Sequence, residues 1–352
     1  MIIGLVSCHS IRYMPYLSLY KKLILQTGND YVIINEHELE SDLEDKHITF
    51  TFDGKGILSR FTRYFKWRRF VIDNLKKYNV SKIVFLTPWA PIKLVDKCIF
   101  DWNKKYILDI RDYSNENSRW FKKCEEIIIK HSILTVISSK GFLKWLPKNN
   151  IYTVAHNMPP HYSAYKECKS FTKSEINIAY IGLVGYYPQN CSLVDSTYGT
   201  RFKMTFSGAI NSSCPIEKYC QDHSYYHVSF TGVFNNSEKA SLYQDCDLIN
   251  AVYGNNSEVV RHALPNKLYD ALIYKIPIMA HSGTYLGDII EEYGVGLAID
   301  VTQPGFLSKL DLYVNSFDRI QFVKNCDRLL CIFEKEQAVT ENKIIKSLFG
   351  QG

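Results

Sequence analysis

The sequence predicts an α/β fold of two Rossmann-like domains whose parallel sheets face each other across a cleft. Short apolar segments alternate with amphipathic helical segments, and this order occurs twice along the 352 residues. Strands of a parallel sheet are buried on both faces, so they read as continuous apolar runs. A polar, proline-containing segment separates the two series. We therefore expect a domain boundary in that segment.

The first series predicts an N-terminal domain over residues 1–157. Its apolar strands are followed by polar loop residues, and helices are predicted at 59–78 and 119–131 from the spacing of their apolar residues. The predicted strands are 2–6, 31–35, 47–52, 82–87, 105–110, 134–137 and 151–155.

The second series begins after a predicted linker at 158–175, which shows no periodicity. Its strands are predicted at 176–181, 202–206, 227–230, 247–252, 276–280 and 296–299. Three of them end in Gly or Ser-Gly, and glycine at the carboxyl end of a parallel strand lets a ligand approach the backbone. This pattern predicts a C-terminal domain over 176–315. Residues 316–352 are predicted to form one or two helices that can pack back on the N-terminal domain.

The composition is that of a globular protein and excludes several kinds of site. Hydrophobic residues make up 46% and charged residues 22% of the chain. The ten cysteines are scattered singly without a CxxC pair, so we expect neither a zinc site nor a redox motif, and no metal. The N-terminus has no charged leader, and no run of about 18 apolar residues is present. We expect a cytoplasmic protein.

The most basic part of the chain is residues 55–77, where aromatic residues are interleaved with lysine and arginine. One interpretation is a solvated helix with an apolar core face. The other is a helix lying on an anionic membrane surface, because basic and aromatic side chains suit the headgroup region. We expect no nucleic-acid binding, since no recognised module accompanies the segment. Its eight basic residues are Lys55, Arg60, Arg63, Lys66, Arg68, Arg69, Lys76 and Lys77.

Residues 261–287 predict an anion site. Pro265 is expected to open a short helix whose apolar face is formed by Leu268, Ala271 and Leu272. A bound anion would face the free N–H groups of this helix start and the nearby cations. Polar residues gather there: Arg261, His262, Asn266, Lys267 and, one turn later, Asp270.

Motifs distributed over residues 1–300 resemble those of retaining GT-B glycosyltransferases of the family-4 type, which build bacterial surface polysaccharides such as capsule and O-antigen. The motif with the strongest resemblance is PNKLYDALIYKIP at 265–277. The others are YILDIRD at 106–112, SILTVIS at 132–138, VAHN at 154–157, AYIG at 179–182, TFSG at 205–208, VSFTG at 228–232 and YQDCD at 243–247.

The resemblance implies a UDP- or GDP-sugar donor and places its ligands in the C-terminal domain. Asp270 takes the position of the acid that contacts the donor ribose, but His262 stands where a second acid is expected. The loop after Gly182 lacks the lysine that grips the diphosphate, so Lys267, with Arg261 or Arg201, is expected to supply that charge. Gly182, Gly185, Gly208 and Gly232 would allow close approach to the donor. Asn266 either contacts the ligand or caps the helix.

On the acceptor side, Asp112 is the candidate group to hydrogen-bond the attacking hydroxyl or to accept its proton, or it is an ordinary loop residue in an Asx turn. His9, Arg12 and Arg111 are weaker candidates. With Lys267 stabilising the leaving group, no metal or cofactor is required.

The resemblance thus implies transfer of a sugar, with retention, to a saccharide acceptor, which we expect to be lipid-linked and at the inner membrane face. Two alternatives remain open at this point. One is a nucleotide-sugar epimerase of the same fold, and the other is a catalytically silent binding subunit of a polysaccharide assembly complex.

Overall fold

The structure, a computed structural model, describes residues 1–11, 14–36, 46–54, 57–148, 150–159, 162–169, 171 and 174–350. The chain forms two compact units. The first is Met1–Asn157 together with Lys335–Gly352, and the second is Met158–Glu334.

The first unit is built on a parallel sheet, which has seven strands within the described ranges. The strand order is β3-β2-β1-β4-β5-β6-β7. All neighbouring strands are parallel. The strands are β1 (Ile2–Val6), β2 (Asp30–Glu36), β3 (His47–Phe50), β4 (Val80–Phe85), β5 (Tyr106–Ile110), β6 (Leu134–Ile137) and β7 (Tyr152–Val154).

Helices cover this sheet because their apolar faces bury the strand side chains. In α5, Ser118 caps the first turn by accepting a hydrogen bond from the backbone N–H of Phe121, and Phe121, Ile128 and Ile129 face inwards. The helices of this half are α1 (Leu17–Gln26), α2 (Ile57–Lys77), α3 (Trp89–Ile92), α4 (Val95–Phe100) and α5 (Arg119–His131), with a short 3₁₀ helix at Lys140–Lys144.

The second unit repeats the architecture with a six-stranded parallel sheet among its described residues, in the order β10-β9-β8-β11-β12-β13. Its strands are β8 (Ile176–Ile181), β9 (Phe202–Ser207), β10 (Val228–Gly232), β11 (Leu248–Ala251), β12 (Ile278–His281) and β13 (Gly296–Ile299). The helices after β8 are α6 (Tyr187–Thr197), α7 (Ile216–Asp222), α8 (Lys239–Gln244), α9 (Glu258–His262), α10 (Asn266–Tyr274), α11 (Tyr285–Tyr293), α12 (Phe306–Asn315) and α13 (Arg319–Phe349), with a 3₁₀ turn at Asn236–Glu238.

The last helix, α13, contributes to the core of each unit. Phe322 and Cys326 are buried in a cluster with β11, β12 and α10 of the second unit. Ile344 and Leu348 are fully buried in a cluster with β1 and α1 of the first unit. The predicted C-terminal tail is therefore a single helix with two different buried ends.

The predicted α/β class with two Rossmann-like parallel sheets is confirmed. Differences are confined to element ends: the third predicted strand stops at Phe50, and the fourth runs from Val80 to Phe85 rather than over 82–87. Within the described ranges, no helix combines the length and apolarity needed to cross a bilayer.

Candidate functional site

The carboxyl edge of the second sheet is lined by glycine where β8, β9 and β10 end. Gly182, Gly208 and Gly232 have φ of +126°, +131° and +75°. A Cβ atom at Gly208 would lie 2.0 Å from the carbonyl oxygen of Gly182, so only glycine fits there. A Cβ at Gly182, Gly185 or Gly232 would meet nothing within 4 Å. The backbone of this edge is therefore open to a ligand.

A buried amide network holds the loop between β8 and α6 in place. Asn190 donates from Nδ2 to the carbonyl oxygen of Gly185 at 2.6 Å, and Asn250 donates to Oδ1 of Asn190 at 3.0 Å. Tyr186 adopts a left-handed conformation immediately before α6, and no side chain caps this helix. A fixed loop that leads into an uncapped helix N-terminus is suited to binding an anion.

Lys267 belongs to the first turn of α10 and is only 6% exposed. Its Nζ lies 3.2 Å from the ring centroid of Tyr180 and 5.1 Å from that of Tyr253. Among the described residues, Lys267 has no hydrogen-bond or ion-pair partner. Burial lowers the pKa of Lys267 well below its ordinary value, and the charge of Asp270 opposes that shift only in part. An anion would supply the missing counter-charge.

Tyr180 connects this lysine to the glycine edge. It lies in β8, two residues before Gly182, and its hydroxyl donates to the carbonyl oxygen of Leu183 at 3.0 Å. Tyr253 stacks on Tyr186 with ring centroids 4.3 Å apart. The structure therefore brings Lys267 to the same strand end as Gly182 and Gly185. The role of the two tyrosines could not be predicted from the sequence, because their approach to Lys267 depends on strand pairing.

Asp270, the predicted ribose ligand, is 4% exposed and has two partners in the structure. Its Oδ1 lies 2.8 Å from Nζ of Lys239, and the Tyr243 hydroxyl donates to Oδ2 at 2.9 Å. Both partners come from α8, 27 and 31 residues away in sequence. A ribose hydroxyl at Asp270 would share the carboxylate with Lys239 or replace it.

Arg261 and His262 lie on α9 and both contact Glu258, an acid that the sequence interpretation did not consider. Arg261 NH1 lies 2.6 Å from Oε1 of Glu258, and His262 Nε2 lies 3.1 Å from Oε2. Glu258 precedes His262 by four residues, a spacing that brings two side chains onto one helix face. The chain thus has an acid one helical turn before the position where the family pattern expects it.

Two predictions at the start of α10 need correction. Pro265 is the N-cap of α10 rather than its first residue, and Asn266 begins the helix without a side-chain capping hydrogen bond. Asn266 therefore does not cap this helix. Arg201 precedes β9, at the amino edge of the sheet, where Asp311 binds its Nε and NH2 at 3.1 and 2.8 Å. The structure does not bring Arg201 to the glycine edge, because the carboxyl ends of parallel strands lie at the opposite edge.

In the first unit, Arg111 is committed to a buried ion pair. Its NH2 donates to Oδ2 of Asp109 at 2.8 Å, its NH1 donates to the carbonyl oxygen of Ala155 at 2.9 Å, and Tyr20 donates to the same carboxylate. This makes Arg111 a brace between the ends of β5 and β7 rather than an open acceptor ligand. Asp112, the next residue, is exposed at the carboxyl end of β5.

His9 lines a cavity of about 430 Å³ at the carboxyl edge of the first sheet. Arg12 and Lys55 lie outside the described residues. Beside the cavity, α2 buries Trp67 and Val71 fully, as the core-face interpretation predicted, but leaves Phe61 and Phe65 65% and 64% exposed. Both faces of the basic helix thus carry large apolar side chains.

Comparison with known proteins identifies the fold. No protein-family model matches the sequence, and no curated protein is similar enough to count as a relative. Among solved structures, a sucrose-phosphate synthase from Thermosynechococcus elongatus superposes with a TM-score of 0.75 at 12% identity, over 99% of each chain. The lipopolysaccharide outer core galactosyltransferase WaaB, in its apo form, gives 0.67 at 12% identity, again over 99% of each chain.

Anabaena HepE in complex with UDP and glucose gives a TM-score of 0.63 at 14% identity over 98% of each chain. At such low identities the likeness shows the fold alone. The chain has the GT-B fold of these proteins, as the motifs at 106–112 and 265–277 predicted.

Proposed function

We propose that this protein is a glycosyltransferase that takes a sugar from a UDP- or GDP-sugar and transfers it, with retention, to a saccharide acceptor. The observation that carries the proposal is the buried Lys267, which has no acidic hydrogen-bond or ion-pair partner among the described residues and lies at the glycine-lined edge of β8–β10. A lysine in that environment is stabilised when a diphosphate binds beside it.

The chemistry follows from charge development on the leaving group. When the bond between the anomeric carbon and the diphosphate oxygen breaks, negative charge grows on that oxygen. The Lys267 ammonium and the free N–H groups at the start of α6 stabilise this charge without a metal. The acceptor hydroxyl forms the new bond on the leaving-group face, and Asp112 is our candidate to hydrogen-bond it or to take its proton.

The comparisons support a nucleotide-sugar donor. The structures of similar fold include HepE bound to UDP and glucose and an α-glucosyltransferase bound to UDP-glucose and DNA. Others act in lipopolysaccharide biosynthesis, namely WaaB and WaaG. By analogy of fold we extend the proposal to a lipid-linked acceptor of a bacterial surface polysaccharide, at the membrane surface.

The exposed face of α2 supports membrane contact, because Phe61 and Phe65 project from it next to Lys66 and Arg69. Co-sedimentation with vesicles tests this extension. We expect the protein to prefer anionic over neutral lipid, and the double variant Phe61→Ser, Phe65→Ser to lose binding. Arg68 is unsuitable for this test, since it is held by Asp96 at 2.8 Å and contributes to packing. Equal partitioning onto both lipids would disprove attraction of the basic helix to an anionic surface, and unchanged binding of the double variant would disprove contact through Phe61 and Phe65.

The donor site is tested with Lys267→Met, which keeps the length of the side chain and removes its charge. Titration calorimetry with UDP and GDP should show binding of one of them by the wild type and a loss of about tenfold or more in the variant, the weight of a charge-assisted hydrogen bond. The matched control is Lys218→Met, which removes an exposed lysine on α7 of the same unit.

Turnover assays complete the test. With a suitable donor and acceptor, Lys267→Met should lose about 2 kcal/mol or more of transition-state stabilisation. Two results would refute the proposal: unchanged nucleotide affinity in Lys267→Met, or no nucleotide binding by the wild type. Nucleotide binding without transfer to any acceptor would favour the silent binding subunit, a reading motivated by the engagement of Asp270 with Lys239.

A further inference from the structure

The cavity at the carboxyl edge of the first sheet lies at the topological switch point of the sheet, where the strand order reverses. The strand order β3-β2-β1-β4 means that the chain leaves β1 towards β2 on one side, while β4 pairs with β1 on the other. Ligands of open parallel sheets bind at such switch points, beyond the carboxyl ends of the strands. The residues of this cavity come from all three places: His9 after β1, Glu36 at the end of β2, and Trp89 and Lys93 after β4.

The charges of the described residues that line this cavity do not balance. Among them are three cations, Arg60, Arg63 and Lys93, against one acid, Glu36. With His9 uncharged the sum is three minus one, or +2. Arg60 is exposed and has no acidic partner among the described residues. An anion of two charges would neutralise the cavity.

Glu36 holds two of the cations in position. It is 2% exposed, and its Oε1 lies 2.5 Å from Nε of Arg63 while its Oε2 lies 3.1 Å from Nζ of Lys93. A buried carboxylate bound to two cations holds their charged groups in place. Because Glu36 balances only one of these two positive charges, the other is left to attract an anion in the cavity. This is the arrangement of a built anion site rather than of a surface charge patch.

The loop that carries Lys93 is fixed as well. Arg68 and Tyr64, both from α2, donate hydrogen bonds to the carbonyl oxygen of Lys93, and Nζ of Lys93 lies 4.7 Å from the ring centroid of Trp67. One face of α2 thus orders the cavity wall.

We propose that this cavity binds a phosphate or diphosphate group of the acceptor. The anion site itself is argued from the first unit alone, but its assignment to the acceptor rests on the proposed glycosyltransferase function. Arginine presents planar N–H groups that match phosphate oxygens, and two arginines with one lysine favour a phosphate over a singly charged carboxylate. The phosphate belongs either to a soluble phosphorylated sugar or to a lipid anchor.

Tryptophan fluorescence offers a readout confined to this unit. All five tryptophans of the chain, at 67, 89, 102, 120 and 145, precede residue 157, and Trp89 lines the cavity. The probe is inorganic diphosphate, titrated into the full chain carrying Lys267→Met so that the candidate donor site does not compete. We expect a saturable change in fluorescence that Trp89→Phe removes.

Two arginines of α2 give a matched pair of variants. Arg60→Ala removes an exposed cation of the cavity, whereas Arg69→Ala removes a cation of the same helix that is 85% exposed and pairs with Asp73. We expect Arg60→Ala to weaken diphosphate binding by about tenfold and Arg69→Ala by less than about twofold, since exposed pairs far from a ligand contribute little. Equal effects of both variants, or no saturable binding, would overturn the proposal.

The source of the phosphate is decided by a second arm. Phosphatidylcholine vesicles with and without a polyprenyl diphosphate replace the soluble probe. Tighter binding to the lipid-borne group, lost in Arg60→Ala, assigns the cavity to a lipid-linked acceptor. Equal affinity for soluble and lipid-borne diphosphate assigns it to a soluble phosphorylated acceptor. Vesicle binding that Arg60→Ala leaves unchanged contradicts a role of the cavity.

The outcome is separable from that of the donor site. Nucleotide binding depends on Lys267 of the second unit, whereas the diphosphate titration is made in its absence. If the wild type binds no nucleotide but the diphosphate titration saturates, the glycosyltransferase assignment is refuted and the anion site stands. If nucleotide binds but diphosphate does not, the anion site is refuted and the donor proposal is unaffected.

Discussion

The carboxyl edges of the two sheets present different chemical groups. In the second unit the edge is formed by backbone, with glycines ending β8, β9 and β10 and one buried lysine beside them. In the first unit the edge is formed by charged side chains around a buried glutamate. A backbone edge suits a group common to many ligands, such as a diphosphate, whereas a side-chain edge can change with the ligand. The second unit is therefore suited to binding a group shared by many ligands, and the first unit to recognising a particular ligand.

Each unit also buries an ionisable side chain with a shifted pKa, and the two shifts have opposite directions. The second unit buries Lys267, whose pKa falls, and the first buries Glu125, whose pKa is raised to about 9 by desolvation and by the neighbouring Glu116. Deprotonation of Lys267 therefore stabilises the folded second unit, whereas deprotonation of Glu125 destabilises the folded first unit. The four predictions below test these contrasts, from the largest expected effect to the smallest.

The largest effect is expected for Gly208→Ala. Its methyl group would lie 2.0 Å from the Gly182 carbonyl oxygen at a φ of +131°, so β8 and β9 must separate. We expect a loss of about 4 kcal/mol or more in the free energy of unfolding, measured by urea denaturation. Gly199→Ala is the control, because it has a φ of +73° and open space, and should cost about 1–2 kcal/mol. Equal costs would show that the glycine edge is not closely packed.

Lys267→Met should leave the protein at least as stable as the wild type, with a gain of about 1 kcal/mol near neutral pH. The folded protein releases this proton more readily than the unfolded chain, so wild-type stability rises with pH between the lowered pKa and about 10.4. The advantage of the variant should shrink over that window. A variant that is less stable at every pH would make Lys267 a structural residue.

Glu125→Gln tests the opposite sign in the first unit. The folded state keeps the proton of Glu125 up to about pH 9, whereas the unfolded state releases it near 4.5. Stability should therefore fall as pH rises through this window, and the variant should flatten that fall. Thermal melts at pH 6 and pH 9 measure the difference. Glu126→Gln, an exposed neighbour on α5 whose charge contributes less to this shift, should change both melts much less.

The smallest effect is expected at Glu336. A hydrogen bond with His156 at 2.9 Å, reinforced by Lys140, holds the pKa of Glu336 at about 2. The stability from this pair is complete above about pH 4.5 and is lost as pH falls towards 2. Glu336→Gln should cost about 1 kcal/mol at pH 6, because the carboxylate is partly exposed, and only a small part of that at pH 2, where the carboxylate is half protonated. An equal cost at pH 6 and pH 2 would mean packing rather than charge.

The sequence allowed the fold to be predicted because the strands of both sheets are buried on two faces. The run 83–86 is apolar throughout, and 176–181 is apolar except for Asn177, a pattern that depends on the sheet alone. The strand-end glycines could be predicted as well, because each of them follows a predicted strand. Element ends were not predicted to the residue: proline is typical of the first helical position, whereas Pro265 is the N-cap of α10.

The partners of the candidate site could not be predicted in this way. Lys239 and Asp270 meet across 31 residues, and Tyr180 reaches Lys267 through strand pairing. Arg201, by contrast, could have been excluded from the sequence, because it precedes the strand predicted at 202–206 and so lies at the amino edge of the sheet. Glu258 was within reach of sequence reasoning, since its spacing from His262 is that of a helix turn.

The two-ended helix α13 has a consequence for synthesis on the ribosome. Ile344 and Leu348 complete the core of the first unit, and Thr340 hydrogen-bonds Thr153 at 2.7 Å across 187 residues. The residues synthesised first thus receive part of their core only after the second unit has been translated. Met158–Glu334 is one continuous segment and can close its own core earlier. In this chain the C-terminal unit is ready to fold before its N-terminal neighbour is complete.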